Sequence, residues 1–145
     1  MTGGRTQAIA ALQATLAAEH AASYGYGVVG AHLAGPPQQA ARADWVAHQV
    51  ARDQLTAMIR KLGAVPVQSA VAYALPAPVQ SQRQARELAV TLENRVTQAY
   101  IALVAVSDVS IREYGARAAQ SAALRAAAWR GSTVAFPGLP ASSLR

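Results

Sequence analysis

Over the first third of the chain, apolar residues recur at alternating steps of three and four. The series Ile9, Leu12, Leu16, Glu19, Ser23, Tyr26, Gly30 and Leu33 falls on one stripe of a helix. It predicts a helix over residues 6–34, stopped by Gly35, Pro36 and Pro37. A second series, Trp45, His48, Arg52, Leu55, Ile59 and Leu62, predicts a helix over 38–62 that ends at Gly63. The Gly-Pro-Pro link is short, which makes these two helices antiparallel neighbours.

Residues 64–80, AVPVQSAVAYALPAPVQ, carry three prolines, no charge and no helical period. Loops of this length are uncommon in compact domains. Extended, about 17 residues reach roughly 50 Å, more than the roughly 37 Å of a 25-residue helix. The segment therefore reads as a crossover to the other end of the molecule. A third helix is predicted over 81–106, opened by a Ser81/Gln84 capping box, with the stripe Ala89, Leu92, Glu93, Val96, Tyr100 and Leu103. A fourth is predicted over 110–130, opened by Ser110 and Glu113, with the stripe Ile111, Tyr114, Ala118, Ala122, Arg125 and Trp129. Residues 1–145 thus read as one all-α domain: a four-helix bundle of two antiparallel pairs joined by a long crossover, the connectivity of ferritin-like folds. In the tail 131–145, Phe136 and Leu139 are expected to plug the end of the bundle.

Composition agrees with helices and narrows the chemistry. The chain is 52% hydrophobic and 14% charged, with much of the apolar share alanine, the best helix former. It has no cysteine, which excludes disulfides, thiolate metal sites and cysteine nucleophiles. The formal charge is +6, but Arg5, Arg42, Arg60, Arg83, Arg95, Arg117 and Arg130 are scattered, and Lys61 is the sole lysine. That dispersion argues against a nucleic-acid partner. The amino terminus lacks a signal-peptide pattern, and the longest apolar run, Ala99 to Val106, is too short to span a bilayer. The expectation is a cytoplasmic protein with no membrane partner.

The polar residues on the apolar stripes carry whatever chemistry there is. Glu19 and Glu93 lie near the middle of the first and third helices. They match the two single-carboxylate positions of ferritin-like di-iron sites, which also need a Glu-x-x-His on each of the other two helices. The second helix instead has Gln49 and Arg52 at that spacing, and the segment GARAAQSAALRAAAWRG of the fourth has neither acid nor histidine. Two readings follow. In one there is no metal or cofactor, and Arg52 and Arg125 neutralise Glu19 and Glu93 in a buried polar cluster. In the alternative a single iron, manganese or zinc ion sits on Glu19, His48 and Glu93. His20, beside Tyr24, reads as a hydrogen-bond donor. No phosphate loop or nucleophile elbow is present, so no catalytic residue is assigned. Gly27, Gly30, Ala31 and Ala34 share a face, for close packing inside the bundle or for a homodimer through helix faces.

The segments LAAEHAASYGYGVVGAHL, YALPAPV, LENRVTQAY and AWRGSTVAFPGLP together resemble a ferritin-like family of actinobacterial proteins of unknown function, from about Ala11 to Pro140. The resemblance implies the bundle and a cytoplasmic setting, and supplies no reaction. The resulting expectation is a non-catalytic binding or scaffold protein for an unidentified protein partner, with a degenerate di-iron site. The alternative is a metal-binding redox or storage protein.

Overall fold

The described residues, 2–131 of the computed structural model, form four helices and no strand: α1 (Thr2–Ala31), α2 (Gly35–Lys61), α3 (Gln82–Leu103) and α4 (Val109–Arg130). Packing joins α1 to both α2 and α3, and α3 to α4. No helix among these residues is long and apolar enough to cross a membrane.

The helix ends differ from the sequence expectation for identifiable reasons. α1 stops at Ala31 rather than 34, its last turn tightening as the His32 and Leu33 amides bond to the Val29 and Gly30 carbonyls. Pro36 and Pro37 do not merely end α1. They lie in the first turn of α2, where a missing N–H is harmless and the fixed φ suits a helix. At the far end of α2, Gly63 adopts φ +78°, and the Gly63 and Ala64 amides bond to the Arg60 and Ile59 carbonyls, the Schellman arrangement. Ser81 caps α3 as expected, accepting from the Gln84 amide at 3.1 Å, but the Gln84 side chain accepts from the Gln80 amide instead of closing the box on Ser81. The fourth helix is capped by Asp108 rather than Ser110. Its Oδ1 accepts from the Ile111 amide at 3.0 Å and from the Ser110 hydroxyl at 2.6 Å. A carboxylate is a better acceptor than a hydroxyl, so the helix opens one residue early.

Residues 62–81 run alongside α1 without helix or strand. Gln13 donates to the Val65 carbonyl and accepts from the Val67 amide, His20 Nε2 meets the Val67 carbonyl, and Tyr73 packs on Tyr24. Side chains of α1 thereby satisfy backbone groups that no ladder serves. Leu75 and Val79 then pack on the apolar cluster that joins the end of α1 to the start of α3.

The apolar core has two parts. Leu12, Leu16, Leu55, Ile59 and Leu103 lie in one, and Tyr26, Val29, Leu33, Leu88 and Leu92 in the other. Burial of each such side chain contributes about 1.5–3 kcal/mol. His48 on α2 and Glu93 on α3 fall between the two parts, while Glu19 on α1 lies at the edge of the first, between Leu16 and Ala22; all three are fully buried.

Two expectations about these surfaces are corrected. Trp45, placed on the α2 stripe, is 40% exposed. The buried α2 positions are Ala41, His48, Leu55 and Ile59, a narrower seam that leaves Trp45 on its flank. Gly27 and Gly30 are not pressed by neighbours inside this fold: a methyl group at either would meet nothing within 4 Å. The close approaches are at Gly25, where an added Cβ would lie 2.5 Å from Leu92, and at Gly115, where it would lie 2.6 Å from Leu103 and 3.0 Å from the Tyr100 carbonyl. Phe136 and Leu139, expected to plug the bundle, lie outside the described residues.

Candidate functional site

His48 sits on α2 between the carboxylates of α1 and α3. Its Nδ1 is 2.5 Å from Glu19 Oε2 and its Nε2 is 2.8 Å from Glu93 Oε1. A neutral imidazole has one N–H, so it would set a lone pair against one of the two carboxylates. The protonated ring donates to both. Burial alone lowers the His48 pKa, yet the hydrogen bonds and charges of Glu19 and Glu93 overcome it and push the value up to about 9. The ring is an imidazolium at neutral pH.

Two tyrosines complete the carboxylates in a reciprocal pattern. Tyr100 on α3 donates to Glu19 Oε1 on α1 at 2.6 Å, and Tyr26 on α1 donates to Glu93 Oε1 on α3 at 2.6 Å. Each helix carries Glu and Tyr seven residues apart, two turns along one face. Because α1 and α3 are antiparallel, each tyrosine reaches the acid of the other helix. Burial raises both phenol pKa values, and the neighbouring carboxylates raise them further, so both remain donors.

Arg125 on α4 adds a third donor to Glu93 Oε1, its Nε at 2.9 Å. Burial opposes ionisation of Glu93, but hydrogen bonding and charge from His48, then Arg125, hold its pKa below the ordinary carboxylate value. Three donors converge on Oε1, while the buried Oε2 has no partner. Asp44 lies just beyond, accepting from the Trp129 indole at 2.8 Å. Burial raises its pKa and the indole hydrogen bond lowers it, the net shift being upward.

Glu19, Glu93 and Arg125 therefore share this network, whereas Arg52 does not. Arg52 turns outward and pairs with Asp53 at 3.0 Å, because a long guanidinium stem on the flank of α2 can reach water while the shorter imidazole of His48 fills the interior. The cation between the carboxylates is His48, which lies on the predicted α2 stripe but is not among the expected members of the buried polar cluster. Tyr26, Tyr100 and Asp44 have no place in the cluster expected from the sequence. The repeated Glu-to-Tyr spacing of seven was the signal available for the tyrosines; nothing local marks Asp44. His20 bonds to the loop carbonyl of Val67 instead of joining the centre.

A cleft between α2 and α4 leads to this network from outside. It is open to solvent and holds about 290 Å³, with Glu19 and Tyr100 in its lining. Tyr114 bridges its walls by donating to Gln54 Oε1 at 3.1 Å. Among the described residues, no group of three or more His, Asp or Glu side chains is arranged to hold a metal ion.

A family model described as a domain of unknown function, DUF4439, matches residues 11–141. The fold is similar to the crystal structure of a conserved hypothetical protein from Mycobacterium tuberculosis, with a TM-score of 0.84 and 31% sequence identity over 87% of this chain and 96% of that one. No curated protein matches the sequence.

Proposed function

This chain belongs to the DUF4439 family, and from that premise we propose that it is a non-catalytic binding or scaffold protein of ferritin-like architecture. In this reading an internal ion network has taken the place of a dinuclear metal centre. The long connection from α2 to α3, lying along α1, supports ferritin-like connectivity. The mid-helix positions of Glu19 and Glu93 match the two single-carboxylate positions of a di-metal site in that architecture.

The carrying observation is that both ring nitrogens of His48 face carboxylate oxygens. A histidine ligand must be neutral and point a lone pair at its metal, and this one has neither nitrogen to offer. α4, which should supply a Glu-x-x-His, presents Arg125 to Glu93 instead. The residues present do not fit a dinuclear site. A single iron, manganese or zinc ion on Glu19, His48 and Glu93 would require His48 to lose a proton and one of its carboxylates.

Metal content by mass spectrometry decides between these readings, on tag-free protein loaded anaerobically with iron, manganese or zinc and then desalted. The expected result is no stoichiometric metal. A stoichiometric ion that disappears in both Glu19→Ala and Glu93→Ala would overturn the proposal in favour of a metal-dependent redox or storage role.

A further inference from the structure

We propose that the cleft between α2 and α4 binds a small organic carboxylate with a short apolar body. On α4, Arg117, Ser121 and Arg125 line it at successive steps of four, hence along one helical face. Arg117 is exposed and makes no hydrogen bond or ion pair with any described residue. Arg125 uses its Nε on Glu93 and also lines the cleft. On the opposite wall the Gln54 carbonyl oxygen is taken by Tyr114, which leaves the amide NH₂ as the available group.

The cleft therefore offers guanidinium, hydroxyl and amide donors, a set matched to an anion. Its one acidic lining residue, Glu19, is already neutralised: Oε2 faces the His48 imidazolium and Oε1 accepts from Tyr100. Between the donors, Val50, Ala51 and Ala118 supply apolar wall, which inorganic phosphate would leave unused. A volume of about 290 Å³, against roughly 30 Å³ for one water, leaves room for a carboxylate with a few carbons. The carboxylate would lie between Arg117 and Arg125, with its hydrocarbon against Val50 and Ala51.

This inference rests on the binding reading above, but its readout is separate from metal content: metal uptake would sink that reading and leave the anion titration interpretable. The test is a chemical-shift titration of the full ¹⁵N-labelled chain with sodium isovalerate, following the amides of Gln54 and Ser121. The expected result is saturable movement at millimolar concentration, no saturation with isovaleramide, and weaker response to phosphate. Arg117→Gln, on an exposed side chain, should weaken isovalerate about ten-fold or more, the loss of one charge-assisted hydrogen bond. Ala51→Leu, which fills the apolar wall, should also weaken it. Equal binding of isovaleramide or phosphate, or an unchanged affinity in a folded Arg117→Gln, would overturn the proposal, as would the absence of saturation in the native protein.

Discussion

His48 Nδ1 and Glu19 Oε2 face each other across 2.5 Å, with both side chains out of contact with solvent. A buried ion pair need not add net stability, but removing one partner leaves the other charged and unpaired, at about 3–5 kcal/mol. His48→Leu takes the cation from Glu19 and leaves Glu93 with Arg125 for its cation. Its unfolding free energy in urea should fall by at least about 3 kcal/mol. Adding Glu19→Gln and Glu93→Gln to His48→Leu should recover a substantial part of the loss. A single variant within about 1 kcal/mol of native would remove the imidazolium from the account of the folded state.

Stability should vary with pH in a direction set by the same ring. Its folded pKa is raised from 6.5 to about 9, so its contribution is complete below about pH 6.5 and is lost as pH rises toward 9. The amount is on the order of 3 kcal/mol. Glu93 acts in the opposite sense. Its folded pKa is depressed from 4.5, so its contribution is present above that value and declines as pH falls through the folded pKa. Denaturation midpoints across pH 4 to 10 should therefore peak between about 4.5 and 6.5, and the alkaline decline should be absent in His48→Leu.

The two buried tyrosines are predicted to differ. Tyr100→Phe leaves Glu19 Oε1 without the donor it has now, costing about 1–3 kcal/mol. Tyr26→Phe removes one of three donors from Glu93 Oε1 and should cost less. Paired urea titrations check the order. Equal losses would mean that donor crowding on Glu93 does not cushion the change.

The glycines should separate by location and not by helix. At Gly115 an added methyl would collide with the Leu103 side chain and the Tyr100 carbonyl, and Gly115→Ala should cost about 1–3 kcal/mol through overpacking. At Gly27 and Gly30 the methyl meets nothing, so alanine should raise stability by up to about 1 kcal/mol at each site through helix propensity. Thermal melts of the three variants would reveal both signs. Destabilisation by Gly27→Ala or Gly30→Ala would return those positions to the close-packing account.

The helices were legible because apolar periodicity and the Gly and Pro stops are local properties of the chain. Their ends were less so: whether Asp108 or Ser110 caps α4 depends on which oxygen reaches the Ile111 amide, a competition between near neighbours. Glu19 and Glu93 stood out because carboxylates are rare on apolar stripes. Arg52 and His48 share the predicted α2 stripe, and only the rotation of α2 against α1 decides which one enters the interior. The side chains that complete the network come from distant segments, as when Asp44 meets Trp129, and no periodicity along one helix encodes that meeting.

The hydrogen bonds of His48 also bear on how the helices find their alignment. Alanine-rich helices are smooth, with shallow ridges that allow neighbouring axial offsets to compete. One residue of sliding displaces a helix by about 1.5 Å and one turn by about 5.4 Å. Either displacement of α2 would carry His48 away from Glu19 and Glu93 together and break both hydrogen bonds of the ring. Because α1, α2 and α3 all meet at this one ring, it works as an index mark, rejecting misaligned bundles that the apolar contacts alone would tolerate.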